Sequence, residues 1–476
     1  MRLLFTVALI VSCFTLAAQQ RDIWTLHRSV EYALQHNISI KQNELNERLA
    51  KLTLQQSQLS QIPSLNANTS YGRSYGRSVD PTTNQFVSGN YDFLSAGGSA
   101  DVLLFGWFQK RNNIAANRLS LEAAKADLDQ LRDDVSLNVA TGFLRALLAQ
   151  EQIRVNEKQV ELSKAQLKQT RQFVSAGRLP ELNAAQHESQ LASDSANLIS
   201  AISTYNSAIL DIKALLNLDF AAPFEIEAPS IGVADLAGLS GTTPELIYAE
   251  ASKHFGAIKS AGLQIQAAQK RVSAGKGALW PQLGLNAQFG TNYATTYTEV
   301  TGFQQTGYQP TSAVGITGGD TFLVYQPTLQ YTTQRIPIGT QLDNNFRQTV
   351  SLGFNIPIFN SWQAQYNVRQ AKINVISGEL GRYQAELQLR QDIYKAYNEA
   401  VNAIQKYNAA QRAQHAAQRA YELATKRYEL GLTNTVEYLT TQNTQFVSEA
   451  NLLSAKYDLI FKLKVIDYYL GKELKL

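Results

Sequence analysis

Pro281-Gln282-Leu283-Gly284-Leu285-Asn286-Ala287-Gln288-Phe289 is the stretch on which the fold turns. After the proline, Leu283, Leu285, Ala287 and Phe289 alternate with Gln282, Gly284, Asn286 and Gln288. A period of two places the apolar residues on one face of a strand and the polar ones on the other. A return strand repeats the pattern: Val350, Leu352, Phe354, Ile356 and Ile358 alternate with Ser351, Gly353, Asn355 and Pro357. A weaker version runs through Leu65, Ala67, Thr69 and Tyr71 and returns through Ala100, Val102 and Leu104. Such alternation over about ten residues is the pattern of a membrane β-strand, apolar outward and polar inward. Pro63 and Pro281 stop the helices that precede the two hairpins.

Working outward, the chain proves to be a repeat. His36 precedes Pro63 by 27 residues, and His254 precedes Pro281 by 27. Ala33, Ile40, Lys41, Leu45 and Ala50 recur as Ala251, Ile258, Lys259, Leu263 and Ala268, and Leu65 and Asn68 as Leu283 and Asn286. Phe105 and Phe359 each lie 72 residues before a glycine, Gly177 or Gly431. Asn217 and Gly471 follow those glycines by 40. One separation differs: Pro63 to Phe105 is 42 residues and Pro281 to Phe359 is 78, a 36-residue insertion in the second hairpin. Its loop, about 300–345, reads as an exposed tip rich in Gly, Thr, Gln, Asn and Tyr.

Each half therefore reads helix, β-hairpin, very long helix, tight turn, long helix. Ile373, Ile376, Leu380, Tyr383, Leu387, Arg390, Tyr394, Tyr397, Val401 and Ile404 step by three and four, a heptad seam broken at Arg390. Tyr407, Ala410, Gln414, Ala417, Tyr421, Ala424 and Tyr428 resume it, and Leu128, Leu131, Val135, Val139, Phe143 and Leu147 mark the first half. Neither 72-residue segment contains a proline. As helix, each would extend roughly 100 Å.

Residues 1–18 read as a signal peptide: basic Arg2, an apolar run from Leu3 to Leu16, and a small-residue cut site at Ala17-Ala18. Ile10-Val11-Ser12-Cys13 also resembles a lipoprotein box, but the apolar run continues through Phe14 and Leu16, which favours cleavage near Ala18. Cys13 is the only cysteine, so cleavage leaves no thiol or disulfide chemistry. No later stretch holds eighteen uninterrupted apolar residues. A secreted chain of this kind enters a membrane only as a closed β-barrel. Four strands do not close one; about eight are needed, so several chains must share it. Charged residues make up 17% of the chain and the net charge is +4 without basic blocks, which leaves no nucleic-acid footprint. Trp107, Trp280 and Trp362 fall where strand meets helix, a position that suits a membrane interface or a packed junction.

Taken together, these residues resemble the TolC-like outer membrane efflux protein family over essentially the whole mature chain. The resemblance rests on Trp24-Thr25-Leu26 with Ala33-Leu34-Gln35-His36-Asn37, and on the prolines Pro63 and Pro281. It rests equally on the turns Ala176-Gly177-Arg178-Leu179-Pro180 and Glu429-Leu430-Gly431-Leu432-Thr433, and on Tyr469-Leu470-Gly471-Lys472. It implies an α+β membrane protein in which duplicated long-helix hairpins form a periplasmic α-barrel. Four strands per chain then contribute to a shared trimeric outer-membrane β-barrel. The implied layout is a first repeat over 19–218 with its hairpin at 64–104 and tip turn at 175–181. An equatorial segment follows at 219–243, then a second repeat over 244–471 with hairpin 282–358 and tip turn 429–435, and a tail at 472–476. The implied partners are two further copies, a periplasmic adaptor at the tip turns, an inner-membrane pump of RND or ABC type, and outer-membrane lipid. Gly177, Arg178 and Leu179, with Gly431, Leu432 and Thr433, would meet the adaptor. Tyr428, Glu437 and Thr440 match the family's periplasmic gate, with only Glu437 acidic and no basic partner at Thr433. Three copies of Glu437 would then ring the pore mouth and favour cations.

An enzyme has no support in the sequence. The histidines His27, His36, His187, His254 and His415 form no metal-binding spacing, and Gly275-Lys276-Gly277 lacks the flanking residues of a phosphate loop. No catalytic, cofactor-binding or metal site is assigned. The rival readings are a periplasmic coiled-coil structural or adaptor protein, which leaves the matched hairpins unexplained, and a surface adhesin prompted by the long second loop.

Overall fold

The computed structural model describes residues 23–79, 84, 86–227 and 241–472. The leader with Cys13, part of the 219–243 segment and residues 473–476 lie outside them. In chain order the first half holds β1 (Ile23–Trp24), α1 (Leu26–His36), α2 (Ile38–Leu59), β2 (Ser64–Ser74), β3 (Arg77–Val79), β4 (Phe86–Ser88), β5 (Tyr91–Phe105), α3 (Gln109–Ser175) and α4 (Glu181–Leu216). After β6 (Glu225–Ile226) come α5 (Pro244–His254), α6 (Gly256–Gly277), β7 (Gln282–Ala294), β8 (Thr298–Thr317), β9 (Asp320–Arg335), α7 (Ile338–Asn344), β10 (Arg347–Asn355), α8 (Gln363–Glu429) and α9 (Thr435–Tyr469). Helices α5 and α6 begin 218 residues after α1 and α2, while α8 and α9 begin 254 after α3 and α4. Both α3 and α8 run for 67 residues.

The chain divides into a helical unit and a sheet unit. In the helical unit the two halves bury the same repeat positions. Ala33, Val135, Val139 and Ile212 lie in one core, and their counterparts Ala251, Leu389, Ile393 and Ile466 in a second. Phe143, Leu147 and Leu216 complete the first, each at most 1% exposed. Fully burying such a side chain contributes about 1.5–3 kcal/mol, so these clusters hold the long helices together at mid-length. Trp24 stacks on Phe224 at 5.0 Å, and β1 pairs in parallel with β6, which fastens the N-terminal strand to the segment after α4.

One expectation changes here. The seam from Ile373 to Leu387 does not bury within the chain: Ile373, Ile376, Leu380, Tyr383 and Leu387 all remain more than half exposed. Heptad spacing identifies a contact face, but not whether the partner belongs to the same chain. On α2, Leu45, Leu52 and Leu59 are equally exposed.

In the sheet unit, four antiparallel strands take the order β10-β7-β5-β2, so two hairpins lie side by side. The register sorts the residues by chemistry. Leu65, Ala67, Tyr71, Leu94, Ala100, Val102, Leu283, Leu285, Phe289, Val350, Leu352 and Phe354 share one face. Asn66, Asn68, Ser95, Ser99, Asp101, Asn286, Gln288, Thr349 and Ser351 share the other, where the Asn286 amide donates to Asp101 Oδ1 at 2.6 Å. Gly98 makes room for the Phe289 ring across the strand; a Cβ there would sit 2.5 Å from Phe289 Cζ. The outer edges of β10 and β2 pair with no strand among the described residues.

The inserted segment, read from the sequence as an exposed tip, is itself regular. Strands β8 and β9 form a long two-stranded hairpin of their own, with register shifts at Val300/Gly302, Gln305/Gly307 and Pro310/Val314. Those shifts interrupt the alternation along β8 and so hide it from a period-two reading. Helix α7 then caps the end of β7, which extends past β10. Gln341, fully buried, accepts from Ala294 N and donates to Ala294 O, and Asn345 donates to Asn292 O. Side-chain amides thus stand in for the strand that ends too early.

Candidate functional site at the helical tips

Each long helical hairpin reverses through a glycine in the left-handed region, Gly177 at φ 72° and Gly431 at φ 73°. Both helices end in the same way. Gly177 N donates to Val174 O and Arg178 N to Phe173 O; Gly431 N donates to Tyr428 O and Leu432 N to Arg427 O. This pair of hydrogen bonds to the last turn needs a left-handed residue, and a Cβ would strain it. The restarts differ. Asn434 caps α9 by accepting from Glu437 N at 2.8 Å, whereas Pro180 opens α4 without a side-chain cap. Arg178 lies over the Phe173 ring at 5.0 Å, and Leu179 and Thr433 are half-buried beside them. Leu182, Leu430, Leu432 and Val436 stay largely exposed around the turns.

Between the two turns lies a cleft of about 690 Å³, walled by Phe173, Leu179 and Leu182 on one side and Tyr421, Tyr428 and Tyr438 on the other. A tyrosine cluster closes its floor. Tyr428 stacks on Tyr438 at 4.5 Å, and the hydroxyls of Tyr421 and Tyr438 meet at 3.1 Å. Gln166 Nε2 on α3 donates to Tyr438 Oη at 2.6 Å, and His187 Nε2 on α4 meets Tyr428 Oη at 3.3 Å. These two contacts join the first hairpin to the second. Burial, and then the bond to Tyr421, push the Tyr438 hydroxyl far above the ordinary tyrosine range, so it stays neutral. Burial likewise pushes the His187 imidazole down, which keeps it uncharged at neutral pH.

The three residues expected at the gate take different surroundings. Tyr428 is central to the cluster, Glu437 lies in the first turn of α9, and Thr440 returns its hydroxyl to Val436 O at 2.8 Å. Glu437 has a basic neighbour that the sequence did not reveal: Arg427 Nη1 stands 3.8 Å from Glu437 Oε1, with both side chains more than half exposed. Arg427 also reaches Leu432 O at 3.5 Å. A buried carboxylate was missed as well. Asp194, 3% exposed, accepts from Ser163 Oγ, Gln159 Nε2 and Gln190 Nε2.

The junction residues fall apart into separate roles. Helices α2 and α6 end at Leu59 and Gly277, before Pro63 and Pro281, because a residue ahead of proline is held off the helical region. Trp107 packs on Trp280 at 4.9 Å and donates its indole N–H to Pro281 O at 2.8 Å. Trp362 takes another position: it is the repeat counterpart of Phe108, not of Trp107, and lies under Arg369 at 5.0 Å. Trp107, Phe108, Ser361 and Trp362 all have positive φ, so both strand-to-helix corners make the same tight reversal.

The sequence pattern of the outer membrane efflux protein family matches residues 30–218 and 247–471, the two halves in turn. The chain belongs to this family. As an outer membrane efflux protein it resides in the outer membrane and extends into the periplasm. The outer membrane efflux protein BepC of Brucella suis biovar 1 (strain 1330) is 21% identical over 457 residues, 96% of this chain and 87% of that protein. The fold is similar to that of the outer membrane protein VceC of Vibrio cholerae, with a TM-score of 0.73 at 15% identity over 94% of this chain and 97% of the other. It is also similar to the open state of the MtrE outer membrane channel of Neisseria gonorrhoeae, with a TM-score of 0.72 at 16% identity over 94% and 89%. The family is one of efflux channels, and no described helix is long and apolar enough to cross a membrane.

Proposed function

We propose that three copies of this chain form a passive exit duct for a tripartite efflux or type I secretion system. The observation that carries this reading is the four-stranded sheet, apolar on one face, polar on the other, and open at both edges among the described residues. Open edges are not tolerated in lipid, so β10 of one copy must pair with β2 of the next. Twelve strands then close around a lumen lined by Asn, Gln and Ser. The exposed seams on α2 and α8 supply the matching helical contacts between copies.

The duct does no chemistry and carries no cofactor. Cargo moves through water, and an inner-membrane pump of RND or ABC type supplies the energy. The exposed turns around Gly177, Arg178, Leu179, Gly431, Leu432 and Thr433 dock the periplasmic adaptor. Docking favours the open member of an existing closed–open pair by binding it more tightly. The tyrosine cluster with Tyr428, the Glu437 carboxylate and Thr440 form the gate.

The test is export by cells in which the gene is deleted and then restored. Cells lacking the chain should retain a fluorescent pump substrate, and the wild-type chain should restore its release. Restoration by a chain from which both tip turns have been replaced with Gly-Ser would contradict the docking assignment; retention equal in all strains would contradict the duct.

A further inference from the structure

The hairpin inserted into the second half has two chemically different faces. Cross-strand register places Val300, Phe303, Tyr308, Val314 and Ile316 of β8 on the same side as Leu323, Tyr325, Leu329 and Tyr331 of β9, with Gln305, Thr321 and Thr333 the polar residues among them. The other side carries Gln304 opposite Gln330, Gln309 opposite Gln326, and Thr328 and Thr332 opposite glycines; Phe322 and Val324 interrupt it only near the turn. Each register shift in β8 advances that strand by extra residues, and each time the next apolar residue returns to the same side. The apolar face is open: Phe303 and Tyr308 are each 69% exposed and Ile316 71%. An isolated two-stranded ribbon is marginal in water, so this face requires a cover.

We propose that the cover is the same hairpin of the other two copies, the three apolar faces packing together at the outer mouth. This rests on the trimeric reading above. Three observations favour a second copy over other occupants. First, each hairpin exposes on the order of 800 Å² of apolar side chain on that face, or about 400 Å² for each of two neighbours, a contact that adds to the sheet and helix seams between copies. Second, β8 leaves from β7 and β9 returns through α7 to β10, the open edge at which the neighbouring copy must join the sheet. The hairpin is therefore joined to the strand that forms the seam between copies. Third, Asp320 is the only charged residue between Val300 and Gln334, so nothing there matches the phosphates of a lipid surface. Pro310 in β8 and Pro327 in β9 remove a donor from each strand and discourage edge-to-edge pairing, which leaves the face as the route of contact.

Single cysteines test this in the envelope of intact cells, with the wild-type chain as control for Cys13. Tyr325→Cys and Phe303→Cys lie on the apolar face, and Gln326→Cys on the polar one. After a short bismaleimide, the two apolar-face variants should run as covalent dimers and trimers of this chain, and Gln326→Cys as monomer. Native mass is measured on the same samples. A native trimer whose apolar-face cysteines give no self-crosslink, or crosslink no more than Gln326→Cys, overturns the proposal and leaves the duct standing. Adducts to a different protein overturn it likewise. Cysteines shielded from a water-soluble maleimide yet uncrosslinked in a trimer point to lipid and overturn it too. Absence of any trimer overturns the underlying assembly instead.

Discussion

Replacing Tyr438 by phenylalanine keeps the ring that stacks on Tyr428 and deletes only the hydroxyl, which accepts from Gln166 Nε2 at 2.6 Å and meets Tyr421 Oη at 3.1 Å. Tyr438 is 4% exposed, so little water reaches the vacated position. Gln166 Oε1 already lacks a partner among the described residues, and the substitution strands the other end of the same amide. A buried donor left unpaired costs about 1–3 kcal/mol. On the gate reading proposed above, opening the tip exposes the amide to water, so the cost falls on the closed state alone. A shift of that size changes the closed-to-open ratio about 5- to 150-fold. Single-channel recording of the purified protein in planar bilayers reads this directly as open time. Tyr438→Phe should open far more often than wild type at unchanged unit conductance. The double variant Gln166→Leu/Tyr438→Phe should return much of the way, because it removes the stranded amide and leaves only the half-buried Tyr421 hydroxyl without its Tyr438 contact. Unaltered open time in Tyr438→Phe, with wild-type thermal stability, would refute the claim that this bond holds the tip shut.

Three further outcomes follow from other parts of the molecule. Glu437→Ala should lower cation selectivity and Arg427→Ala should raise it, as reversal potentials under a salt gradient would show; equal selectivity in both removes this pair from the pore mouth. Burial holds His187 below its ordinary 6.5, so below that value the unfolded chain binds more protons than the folded tip. Stability from this site is therefore full above 6.5 and falls as pH drops towards the lowered value. Tryptic nicking at Arg178 should accordingly increase from about pH 7.5 to about pH 5.5, and His187→Phe should flatten the response. Phe143→Ala should cost about 3–5 kcal/mol by opening a cavity in the first helical core, seen as a lowered melting temperature.

The strands, the long helices and the duplication are legible in the sequence because each rests on spacing. Alternation at Leu283–Phe289 survives any context that keeps one face in lipid, and paired separations such as Pro63 from His36 survive divergence of the residues between them. The tip chemistry is much less so. Tyr421, Tyr428 and Tyr438 correspond by the 254-residue offset to Leu167, Val174 and Ala184. The second half therefore carries polar aromatics where the first carries aliphatics, and that asymmetry is the available sign. Gln166, His187 and Arg427 reach the site from three different helices, and nothing in their local sequence marks the meeting. The seam at Ile373–Leu387 reads as a contact face, but its partner is beyond reach, since a heptad does not name the chain it faces. The β8–β9 hairpin reads from the sequence only as an exposed tip because three register shifts break its period.

The shared barrel is tested most directly by electron microscopy of the detergent-extracted protein, with native mass measured on the same preparation. The account predicts particles of three copies with a single barrel of twelve strands, in which β10 of each chain lies beside β2 of the next. Monomers, or an assembly in which those two strands do not meet, would contradict it.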